Sequence, residues 1–123
     1  MNLSYGMCGM QGWRRTMEDA HICAAKLHDR DDMSLFAVFD GHGGGEVAQF
    51  CAKYFIRELV ASEPFKTGDY DNALKQGFHK MDSLLRDDSY SMEIATVWHL
   101  TSHRCCPLLS RAATFRHVSA YCC

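Results

Sequence analysis

Two short stretches hold the residues of this chain that could do chemistry: FAVFDGHGGGEVAQFC at Phe36–Cys51 and WRRTMEDAH at Trp13–His21. Asp40 follows an apolar run, Phe36 to Phe39. A carboxylate at the end of a buried strand needs a partner, because an unpaired buried charge is costly and would otherwise take up a proton. A metal ion is an economical partner. Gly41, Gly43, Gly44 and Gly45 let the backbone turn through conformations closed to other residues, and they bring carbonyl oxygens close to whatever Asp40 holds. A plain strand-to-helix turn also reads Asp-Gly, so the motif alone leaves both readings open. The second carboxylate pair, Glu18 and Asp19, favours a site if folding sets it beside Asp40.

The elements that must position these residues follow from periodicity. Met17 to Leu27 carries Ala20, Ile22, Ala24 and Leu27 among small and polar residues, ends at the turn-rich HDRDD of His28–Asp32, and is followed by a second strand, Met33 to Phe39. The pair reads as a hairpin. Its two free ends are then neighbours, which sets Glu18 and Asp19 near Asp40 and Gly41. From Glu46 the period changes from two to near 3.6, with Val47, Phe50, Cys51, Tyr54 and Phe55 on one face of a helix reaching about Val60. Pro64 and Gly68 mark a loop. Tyr70, Leu74, Phe78, Met81 and Leu85 form the stripe of a second helix. Upstream, the glycine-punctuated Ser4–Gln11 reads as an edge strand entering a turn. A hairpin followed by two helices is a layered α+β arrangement.

At 123 residues, with 47% hydrophobic and 23% charged residues, the chain has the composition of one ordinary globular domain and neither a fibrous nor a disordered one. No apolar run approaches the ~18 residues of a membrane span, and MNLSYGMC lacks the basic and apolar parts of a signal peptide. A cytoplasmic or nuclear chain that engages no membrane is expected. Through Glu93 there are 10 basic and 15 acidic residues (−5), whereas Ile94–Cys123 holds three arginines and no acid (+3). Neither part is basic enough for nucleic-acid binding. The seven cysteines are odd in number and unevenly placed, which argues against a disulfide framework.

MQGWRRTMEDAH at Met10–His21 and FAVFDGHGG at Phe36–Gly44, at this spacing, resemble the PP2C, or PPM, family of metal-dependent protein serine/threonine phosphatases, over about Tyr5 to Asp88. The resemblance implies an αββα sandwich, two antiparallel sheets with helices outside, and two Mg or Mn ions at one end. It makes Asp40 the carboxylate bridging the metals, Glu18 a ligand of one of them, Gly41 a carbonyl ligand and Asp19 the neighbouring outer-shell acid of the metal site. Arg14 corresponds to the phosphate-binding arginine, and His42 to the general acid that protonates the departing seryl or threonyl oxygen. The implied partners are phosphorylated protein substrates.

The chain also departs from the family pattern. Its only Asp-Gly is Asp40-Gly41, and Asp71-Asn72 lies in the second expected helix, the wrong context for the family's later Asp-Asn. The expected organisation is therefore the N-terminal portion of the phosphatase domain over residues 1–91 and an unmatched Cys-rich tail over 92–123, an alternative or out-of-frame end. The fold is then the N-terminal part of the sandwich, incomplete, and the chain alone is weak or inactive. The alternative is a catalytically incompetent fragment acting as a binding or regulatory module. Within the tail, Cys105, Cys106, His117, Cys122 and Cys123 are candidate zinc ligands, but adjacent cysteine pairs do not have finger spacing. With strands missing, Phe50, Tyr54, Leu74, Phe78 and Met81 are expected to stay partly exposed.

Overall fold

The expected hairpin forms, with strands shorter than the sequence pattern suggests. In a computed structural model that describes residues 3–27, 30–42, 44–91 and the backbone of 118–122, β1 is Ala20–Ala24 and β2 is Leu35–Phe39. They pair antiparallel from Ala20 opposite Phe39 to Ala24 opposite Leu35. Alternation sends Ala20, Ile22, Leu35, Ala37 and Phe39 into the core, and leaves His21, Cys23 and Val38 exposed on the other face. At the tip, the Ser34 hydroxyl donates to the Ala25 carbonyl at 2.8 Å, and Arg30 forms an ion pair with Asp32 at 2.9 Å.

Helix α1, Glu46–Ala61, lies against this sheet and buries Ala48, Phe50, Cys51, Phe55 and Leu59. Phe55 is the hinge pin between layers: its ring meets Phe39 of β2 edge-on at 5.7 Å and Phe78 at 4.8 Å. Burial, with the Asp82 carboxylate adding to it, pushes the Cys51 thiol up to about 12. A short helix that the sequence reading assigns to a loop, α2, covers Glu63–Thr67. Its signals are standard ones: the Ser62 side chain accepts from the Phe65 amide, Pro64 sits in the first turn, and Gly68 closes the end at φ 84°. Reading Pro64 and Gly68 as loop markers misses that they bracket a single helical turn.

Helix α3, Tyr70–Leu85, starts where the Asp69 carboxylate accepts from the Asn72 amide. Its buried residues are Ala73, Gly77, Met81 and Leu84, while Tyr70, Leu74, Phe78 and Leu85 flank them half-covered. The contact line thus runs beside the expected large-residue stripe. Gly77 shows why: a Cβ there would stand 3.2 Å from the Phe55 ring, so small residues let the two helices approach while larger ones wrap the sides. Of the five side chains expected to remain partly exposed, Tyr54, Leu74 and Phe78 do so, whereas Phe50 and Met81 are buried. Helix α1 packs on the sheet and α3 packs on α1, which covers more of the stripes than the strand count suggests.

Two further differences concern the ends. Residues 3–10 form no strand. They lie instead over the exposed face of the hairpin, with Tyr5 against Phe36 at 5.1 Å between ring centroids and the Cys23 thiol 3.6 Å from the Met7 sulfur. Cys23 and Phe36 are cross-strand partners, so one pair of side chains covers another. At the far end of the chain, Val118–Cys122 forms β3, antiparallel to β2, in a three-stranded sheet of order β1-β2-β3. The sequence reading leaves this stretch in the tail with no strand. The candidate zinc ligands lie outside the residues whose side chains are described.

Among the described residues no helix is long and apolar enough to cross a membrane. The architecture is α+β: an antiparallel sheet with helices on one face.

Candidate active site

The hairpin register decides what can meet at its open end. Continued past Ala20–Phe39, it sets Asp19 opposite Asp40 and Glu18 opposite Gly41. The backbone contact between the last two is close. A Cβ on Gly41 would run into the Glu18 carbonyl and stand 2.9 Å from the Glu18 Cβ, so only glycine allows the strands to approach this way. Gly45 lies on the same residue, its would-be Cβ 3.4 Å from the Glu18 carbonyl oxygen.

The Glu18 carboxylate reaches across to the glycine turn. Its Oε2 accepts from the Gly44 amide at 3.2 Å and its Oε1 from the Thr16 hydroxyl at 2.9 Å. Gly44 has φ 139°, which side chains rarely tolerate, and a Cβ there would strike Oε2 of Glu46. Glu46 is buried in the first turn of α1, where the helix dipole favours a negative charge. One glycine is thus placed between two carboxylates, one from the residues just ahead of β1 and one from the first turn of α1.

The structure brings together Glu18, Gly41, Gly44 and Gly45. It sets Asp19, Asp40 and His42 at the same strand end, all exposed to solvent. Asp40 therefore differs from the sequence-based picture of a buried carboxylate that must find a partner: the strand is buried at Phe39, but exposure begins one residue later. Arg14 is exposed in a separate turn, its amide donating to the Gln11 carbonyl at 3.3 Å and its carbonyl accepting from the Gln11 side chain at 2.8 Å. The sequence reading gives Thr16 and Glu46 no part in the site, and it names Gly44 only together with its neighbouring glycines. A hydroxyl two residues before a carboxylate was the available signal for Thr16; nothing in a run of glycines marks which one has positive φ.

The donors at this end are carboxylate and carbonyl oxygens, the kind that hard divalent ions such as Mg and Mn prefer, so they suit such an ion in chemistry. They suit it as a partial set: among the described residues no three of His, Cys, Asp or Glu form a group able to hold a metal ion.

Comparison with known proteins gives the family. The family model described as protein phosphatase 2C matches residues 3–110, past Ser91 and into the segment that the sequence reading leaves unmatched. Probable protein phosphatase 2C 21 of Arabidopsis thaliana is 43% identical over 95 residues, covering 77% of this chain and 26% of the relative. Probable protein phosphatase 2C 58 of Oryza sativa subsp. japonica is 52% identical over 84 residues, covering 68% and 22%. Probable protein phosphatase 2C 4 of Paramecium tetraurelia is 51% identical over 88 residues, covering 72% and 29%. The chain spans about a quarter of the length of these curated relatives. With a family model covering most of its residues, this chain belongs to the protein phosphatase 2C family.

Proposed function

We propose that this chain carries the N-terminal part of a phosphatase site that hydrolyses phosphoserine and phosphothreonine in proteins with Mg or Mn. The observation that carries the reading is the register: it puts Glu18 and Asp19 opposite Gly41 and Asp40, with the Glu18 carboxylate tied to the Gly44 amide. Asp40, Glu18 and the Gly41 carbonyl are the residues that would hold the ions, with Asp19 beside them. When bound, such ions lower the pKa of a water and neutralise charge on the phosphate ester. The chain supplies the rest. Arg14 offers a planar fork of donors that can meet two phosphate oxygens at once. His42 sits one residue beyond Gly41 and would give a proton to the seryl or threonyl oxygen as the P–O bond breaks; the water's oxygen ends on phosphorus, one of its protons stays with the inorganic phosphate and the other replaces, through solvent, the one that His42 gave.

The second reading, a binding or regulatory module without catalysis, is favoured by one observation: no three candidate ligands gather among the described residues. Titration of the full chain with Mn, followed by calorimetry, and Mn-dependent release of phosphate from a phosphopeptide distinguish the two. The phosphatase reading expects weak Mn binding that Asp40→Asn removes, and slow hydrolysis that is lost with it. Equal Mn binding by both proteins, with no hydrolysis, would instead favour the binding module.

A further inference from the structure

We infer that Thr16 is a positioning residue for the metal-facing carboxylate of Glu18; this rests on the reading just given. Glu18 has rotatable bonds beyond its Cβ, and a free glutamate at a strand end would sample many orientations. Here each oxygen is held from a different side. The Gly44 amide fixes Oε2 from the turn that leads into α1, and the Thr16 hydroxyl fixes Oε1 from the residue before Met17. The two contacts differ in kind. The amide belongs to the backbone of a glycine at positive φ, with the Glu46 carboxylate beside it. The hydroxyl belongs to an exposed residue, and its direction is limited by the β-branch.

A carboxylate oxygen has two acceptor sites, so Oε1 can keep the Thr16 bond and still face a cation. The bond therefore supports binding and need not be broken for it. Supporting hydrogen bonds of this kind typically change metal affinity by about 10- to 100-fold. An exposed hydroxyl belongs at the lower end of that range.

The experiment uses the full chain and Mn alone as the probe, with free Mn counted by electron paramagnetic resonance. Thr16→Val is nearly isosteric and removes only the donor. It is expected to raise the Mn dissociation constant on the order of tenfold, with Thr16→Ser restoring most of the wild-type value and the thermal midpoint little changed in either. Glu18→Gln and Asp40→Asn are run in parallel. Loss of binding in those two with Thr16→Val indistinguishable from wild type overturns the positioning role and leaves the metal site standing. An affinity lowered equally in the serine and valine variants also overturns it, since the hydroxyl then has no part. Binding unchanged in all four would discard both the site and the role of Thr16.

Discussion

The helix layer and the open end of the hairpin are built on opposite terms. Between α1 and α3, side chains such as Phe55, Leu59 and Met81 are fully buried and meet neighbours on every side, down to a notch at Gly77 that admits the Phe55 ring. At the hairpin end, contact is made by backbone and by single hydrogen bonds, and Asp19, Asp40 and His42 face solvent. The first region has many redundant contacts, each small. The second has a few, each tied to one atom. Substitutions in the helix layer should therefore act on stability alone, and those at the hairpin end on geometry first.

The largest effect tests the helix layer. Phe55→Ala removes the ring shared by Phe39 and Phe78, and a loss of about 3–5 kcal/mol is expected from truncating a fully buried aromatic. Denaturant unfolding followed by circular dichroism measures it. A loss below 1 kcal/mol would mean that this layer is loosely packed after all.

Gly41→Ala tests the hairpin end. The added methyl meets the Glu18 backbone, which cannot yield like a flexible side chain, so a cost of about 1–3 kcal/mol is expected. The sharper readout is local: the amide of Gly44 should lose protection from hydrogen exchange as Glu18 is pushed away, while the amides of α3 keep theirs. Uniform loss across the chain would erase the contrast between the two regions.

The smallest effect concerns a helix start. Hydrogen bonds from Asn72 hold the Asp69 carboxyl below its ordinary value of 3.8. Its contribution is thus present above that value, where the unfolded chain is also ionised, and is lost as pH falls through the lower folded value. Asp69→Asn keeps a good cap without the titration. Thermal midpoints should fall slightly more for wild type than for the variant on going below about pH 4. Parallel curves would remove Asp69 from the account.

The sequence exposes some of this architecture well and some of it poorly, for physical reasons. The hairpin and both long helices follow from apolar period, because the core selects one face of each element. Helix α2 escapes because five residues are too few for a period to appear, although Ser62, Pro64 and Gly68 spell its ends. The N-terminal segment misleads because Tyr5 and Met7 resemble alternate residues of a strand, yet their side chains are used to cover Phe36 and Cys23. At the site, the adjacency of Glu18 and Asp19 to Asp40 and Gly41 follows from the hairpin alone. The exposure of Asp40, the separate turn of Arg14 and the hold of Thr16 on Glu18 depend on loop backbone that no periodicity encodes.

The Glu18–Gly44 bond spans 26 residues of chain and has a meaning for how the strands find each other. Alternation between faces penalises a slip of one residue, which would turn Ile22 and Ala37 outward, but it is nearly blind to a slip of two. After a two-residue slip the apolar faces would still point inward, while the Glu18 carboxylate would miss the Gly44 amide, and in the slip that sets Glu18 opposite Phe39 it would also face a residue with a Cβ. The same few atoms that shape the site thus act as a check on strand alignment, rejecting the misfolded pairing that hydrophobicity cannot recognise.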